Sequence, residues 1–255
     1  MHKTPFFVEK KSVVRRIWGK SDTILFIFAG ASAEFALNKA VDWLYFTGRL
    51  PADPLSRLFS TVEYARKIVF SPMGKALDAI DTLRHIHTAV ERSRQSSIPD
   101  WAYRDVLFML IHYSIASYEL LEKPLSNEEK EEVYNVFYRV GSRMGLAELP
   151  LNYVEWLPVR EWHLGQDLRK SEYTTDLFKQ YRKHLGAMRF GVLREAQKLV
   201  VPGCVKQLLH VGNFSLLTPA VPLYKLSRRI GLDRPVRNIL LPAEYKDQID
   251  AMDTE

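Results

Sequence analysis

Two histidines, His87 and His112, are the residues best placed by type and spacing to do chemistry in this chain. His87 stands in Arg84-His85-Ile86-His87-Thr88 and recurs with Ala76, Ile80, Leu83 and Val90 at helical spacing, which turns it inward. His85 shares the outer face with Asp78, Asp81 and Arg92. His112 stands in Val106-Leu-Phe-Met-Leu-Ile-His112-Tyr-Ser-Ile-Ala, a run close to apolar all round, and such a helix belongs between other helices. A buried imidazole needs partners for its nitrogens. A backbone carbonyl or a hydroxyl meets that need, and so does a haem or metal slot between helices. The residues alone leave both readings open.

The elements that must position this pair are helical. Ser21 or Asp22 reads as the N-cap of a helix over 22–46, rich in small residues at Ala29, Gly30, Ala31, Ser32 and Ala33, which admit a close helix or a flat ligand. Gly48 to Pro54 reads as a turn, and Leu55 to Phe70 is amphipathic. Ser71-Pro72 opens the His87 helix as N-cap and first turn. Residues 93–100 are a loop before the His112 helix, which Lys123-Pro124 stops. Ser126 and Glu129 form a capping box for a helix running to Met144, with Gly145 as its C-cap. Its Glu128–Glu132 cluster is a solvated first turn. Helices over about 174–185 and 188–200 meet at Gly186, and short ones follow at 202–210 and 222–229. Nothing alternates with period two, so the fold class is all-α. The organisation reads as a basic arm over 1–20, one helical domain over 21–231 with a subdomain seam at 150–158, and a tail over 232–255.

Composition sets bounds rather than a function. The chain has 255 residues, 47% hydrophobic and 26% charged, with a net charge of +6, enough for one substantial core. The mild basic surplus suits anionic membranes, acidic ligands or nucleic acid alike. A single cysteine, Cys204, rules out an internal disulfide and a cysteine-rich metal site and favours a reducing, cytoplasmic location. Basic residues before Ile24–Phe28 and the Ala31-Ser32-Ala33 triplet imitate a signal peptide, but Asp22 interrupts the approach and the segment reads as a core helix. No run approaches the roughly 20 apolar residues that cross a bilayer. Phosphate loops, Glu-x-x-His pairs, His-Glu-x-x-His and Gly-x-Ser-x-Gly are all absent, and no clustered arginine–aromatic face suggests nucleic acid.

Several stretches together resemble a known family, the haem oxygenase superfamily joining MpaB-type oxygenases to latex-clearing rubber oxygenases. They are Asp53–Arg57, Arg84–Thr88, the His112 helix, Tyr118–Ser126, Arg160–Leu164, Tyr181–Gly186 and Gln197–Pro202, spread over roughly 22–212. The resemblance implies an all-helical fold around haem b, with His112 as the proximal iron ligand. The 25-residue step from His87 to His112 is similar to the family's separation of two histidine positions. The rubber-oxygenase branch carries Arg-x-x-Lys-Thr on the distal side of the haem. This chain matches it at Arg84 and Thr88 and has His87 where that branch has lysine. His87 is then either a second iron ligand or a distal proton donor, Arg84 a cation for a propionate or bound oxygen, and Thr88 a hydroxyl for dioxygen. Arg160, His163 and Arg182 read chiefly as structural, and Phe108, Met109 and Ile111 as core or pocket lining.

The implied activity is a haem-dependent oxidoreductase that uses dioxygen to oxidise or cleave a hydrophobic, isoprenoid- or lipid-like substrate. Two rivals remain. One is a non-catalytic haem sensor held six-coordinate by His112 and His87. The other is a cofactor-free lipid-binding protein that contacts a membrane peripherally through its basic arm and Lys225–Arg229.

Overall fold

The computed structural model describes residues 5–46, 48, 53–229 and 253. In chain order its helices are α1 (Val13–Trp18), α2 (Ser21–Phe35), α3 (Asp42–Phe46), α4 (Pro54–Phe70), α5 (Met73–Arg94) and α6 (Asp100–Leu121). They continue with α7 (Asn127–Met144), α8 (Tyr153–Gln166), α9 (Glu172–Val200), α10 (Gly203–Leu208) and α11 (Ala220–Arg229). Among the described residues the only extended pairings are the isolated bridges Phe6–Pro72 and Asn38–Leu168, so the fold is all-α.

The apolar helix α6 is the axis of the molecule. It packs most closely on α2 and also meets α1, α7, α8, α9 and α11, as its apolar circumference requires. The small residues of α2 serve this contact. A Cβ placed on Gly30 would lie 2.2 Å from ring carbons of Tyr113, which is wholly buried. That groove is filled by the tyrosine ring, not by a flat ligand. Gly30→Ala is therefore expected to lower the urea midpoint by the equivalent of roughly 1–3 kcal/mol, the usual range for overpacking a core. An unchanged midpoint would show that α2 can shift freely on α6.

Local signals explain most boundaries. Ser126 accepts from the Glu129 amide while the Glu129 carboxylate accepts from the Ser126 amide, and Gly145 closes α7 at φ 87°. α9 is two helices joined at Gly186, whose φ of 75° and ψ of 165° suit glycine. Other boundaries differ from expectation. α2 starts at Ser21 with Lys20 as its cap, and the 22–46 helix is broken at 36–41. There Asn38 accepts from the Ala40 amide, a local bond that competes with helix continuation. The freed backbone pairs with 167–169 through Lys39 N–H to Asp167 and Arg169 N–H to Leu37. Pro72, not Ser71, caps α5.

Two segments proved more integrated than their composition suggested. Phe7, Val8, Val13, Val14, Ile17 and Trp18 in the basic N-terminal stretch are buried in the main core, and Arg15 is drawn in beside them, donating to the Val8 carbonyl. The stretch around Pro150–Pro158 starts α8, anchored by Tyr153 N–H to Glu131 and Tyr134 O–H to the Pro150 carbonyl. The expected tail over 232–255 lies outside the described residues except Asp253, as does most of the Gly48–Pro54 turn. Among the described residues no helix is long and apolar enough to cross a membrane.

Candidate functional site

His112 sits past the middle of α6, its ring edge-on to Tyr113 at 4.9 Å between centroids. The Val200 carbonyl, at the end of α9, accepts a hydrogen bond from the imidazole. The residue lies deep yet keeps some accessible surface. Burial, then the nearby Arg160 cation, push its pKa down to about 4. The ring is thus neutral at physiological pH, with a nitrogen fixed by a carbonyl, as is usual for a metal-binding imidazole.

This shift has a consequence for stability. The folded-state value lies below the ordinary 6.5, so between them the unfolded chain binds more protons. The contribution is complete above pH 6.5 and is lost as pH falls toward 4, by up to about 3 kcal/mol. Melting of the cofactor-free protein between pH 7 and 4 should show this loss, and His112→Gln should flatten the slope.

Beside His112 lies a buried charged network. Glu34, on α2, is fully buried; Tyr113 O–H donates to its Oε2 at 2.8 Å and Arg160 Nη2, from α8, at 2.5 Å. Burial opposes the Arg160 charge, but Glu34 outweighs it and holds the guanidinium pKa above its ordinary value. At the far end of α8, His163 Nδ1 lies 2.6 Å from Asp167 Oδ2 and 2.9 Å from Asp105 Oδ1. Burial alone would lower the His163 pKa; the two carboxylates raise it. Burial raises that of Asp105. These three side chains could hold a metal ion. Of this network, sequence reasoning had singled out only Arg160 and His163. The missed signals were an acid on each of two largely apolar helices, Glu34 in α2 and Asp105 in α6, together with the i,i+4 pair His163–Asp167.

The other expected site residues stand apart from His112. His87 packs on Tyr103, with ring centroids 5.2 Å apart, near the start of α6. Tyr103 precedes His112 by nine residues, a rise of about 13 Å along the helix. α5 and α6 touch there, but α5 packs chiefly on α4 and α7, and α6 on α2 and α7. Arg84 and His85 are exposed, and the Thr88 hydroxyl donates to the Arg84 carbonyl within its own helix. Phe108, Met109 and Ile111 are core residues, with Phe108 edge-on to Trp156 and His163. Arg182 is exposed. Burial raises the Cys204 pKa, which disfavours a nucleophilic thiolate. Glu128, Glu131 and Glu132 line a surface cavity of about 340 Å³ with Val8, Glu9 and Arg139, away from the histidines.

A helical domain with a carbonyl-fixed neutral imidazole beside a buried ion pair has the makings of a cofactor-binding catalytic domain. The family model described as ER-bound oxygenase mpaB/B'/rubber oxygenase, catalytic domain, matches residues 15–237. The chain belongs to this family, which supports oxygenase activity, with dioxygen and a small molecule as substrates. No curated protein and no solved structure matches it.

Proposed function

We propose that the protein is a haem b oxygenase acting on a hydrophobic, isoprenoid- or lipid-like substrate, with His112 as the proximal iron ligand. The observation that carries this reading is the state of His112: neutral, deep, and fixed by the Val200 carbonyl. The residues fit the group. A haem supplies the iron at which dioxygen can react with a carbon–carbon double bond. The Val200 carbonyl orients the imidazole, and the Arg160–Glu34 pair keeps the surrounding charge fixed. His87, on α5, packs on Tyr103, nine residues or about 13 Å before His112 along α6, which favours a distal role over iron ligation. From there it would hold a proton for the oxygen side of the reaction, with exposed Arg84 available to a propionate.

The test is an absorption spectrum of protein purified from haem-supplemented cells, before and after dithionite. A stoichiometric Soret band of five-coordinate character is expected. A six-coordinate spectrum that His87→Ala converts to five-coordinate would establish the sensor-like coordination instead. Colourless protein that also fails to take up added haemin would remove the haem reading.

A further inference from the structure

We infer that Asp105, His163 and Asp167 form a binding site for one divalent transition-metal ion, separate from His112. The donors are His163 Nδ1, Asp105 Oδ1 and Asp167 Oδ2, all within 4.8 Å of one another. One imidazole nitrogen with two carboxylate oxygens is a donor set that suits zinc and its first-row neighbours, and the imidazole selects against calcium or magnesium.

A second observation, independent of the clustering, points to a ligand. Asp105 is 2% exposed, and its Oδ1, although 2.9 Å from His163 Nδ1, receives no well-directed hydrogen bond, because the nitrogen's single proton is aligned with Asp167 Oδ2. A buried carboxylate oxygen without a directed donor carries a desolvation cost that a bound cation would offset. Its other oxygen is not idle: Asn38 Nδ2 donates to Oδ2 at 2.7 Å, while Asn38 Oδ1 is held by the Ala40 amide. Asn38 thus clamps the carboxylate so that Oδ1 faces His163 and Asp167. Support of this kind behind a donor is how protein metal sites are oriented. Phe108 and Trp162 lie edge-on to the His163 ring and fix its plane.

The present separations of 2.6 and 2.9 Å from Nδ1 to the two oxygens suit a shared proton. Tetrahedral donors at about 2.1 Å from an ion lie roughly 3.4 Å apart, so the carboxylates must open by about 0.5–0.8 Å. Asp167, following the last residue of α8 with its side chain 12% exposed, is the one positioned to yield, and solvent reaches the site there. The ion would join the end of α8 to α6 and, through Asn38, to the break after α2.

The experiment is a calorimetric titration of ZnCl₂ into chelator-treated, haem-free full-length protein, followed by melting with and without zinc. One equivalent bound and a raised Tm are expected. Asp105→Asn, which preserves shape, and Asp167→Asn should each weaken binding at least tenfold with unchanged circular dichroism. Wild type that takes up neither zinc, cobalt nor manganese overturns the site, as does binding that both variants leave unaltered. His112→Ala should keep the zinc equivalent while altering haem uptake, so failure here and failure of the haem reading are read separately.

Discussion

Alanine in place of His112 is expected to give a folded, colourless protein. The imidazole lies deep and is held by the Val200 carbonyl. With His112 as the iron ligand proposed above, its loss would remove the bond to the haem, and haem content should fall at least tenfold relative to wild type expressed in parallel. The fold should survive because the cavity opens at a residue that already has accessible surface, and the surrounding core of Phe108, Ile111 and Tyr113 is untouched. Added imidazole should restore part of the Soret band by filling the cavity. If the variant retains wild-type haem content, His112 is not the ligand. Glycine or alanine at His87, by contrast, should alter turnover while haem content stays near wild type.

The second large effect is on stability. Arg160→Met should destabilise the protein by about 3–5 kcal/mol, the range for removing one partner of a buried ion pair. The residue is 4% exposed and Glu34 is not exposed at all. Without the guanidinium, Glu34 keeps only the Tyr113 hydroxyl and becomes an uncompensated interior charge. A second substitution, Glu34→Gln, should recover much of the loss, because an amide tolerates that environment better than a carboxylate does. A double variant no more stable than Arg160→Met would mean that arginine packing, not charge, carries the effect. The measurement is urea unfolding of all three variants with wild type.

These two residues also show what was legible in the sequence. His112 announced itself as a polar group inside an apolar run, and the helix carrying it could be placed from that run and its bounds, the 93–100 loop and Lys123-Pro124. Ser126 with Glu129, Gly145 and Gly186 marked their boundaries because capping and left-handed turns are local chemistry. The Arg160 partner was not legible. Glu34 lies 126 residues earlier, and no local pattern links them. α8 was obscured by Pro150 and Pro158, although Pro150 lies before the Asn152 cap and Pro158 is accommodated inside the helix. The break at 36–41 depended on Asn38 meeting Asp105 and on backbone pairing with 167–169, both of them tertiary contacts. The family resemblance rested on short stretches over roughly 22–212, and the family match, over 15–237, spans all of them.

The span between Glu34 and Arg160 has a further meaning for biosynthesis. A ribosome adding about 5–20 residues per second takes roughly 6 to 25 s to traverse those 126 positions. Throughout that interval α2 has been made, but the cation that belongs against its carboxylate has not. The nascent chain must keep Glu34 hydrated and its apolar neighbours unsealed until α8 emerges. Closure of the interior around Glu34 therefore waits until α8 has been made.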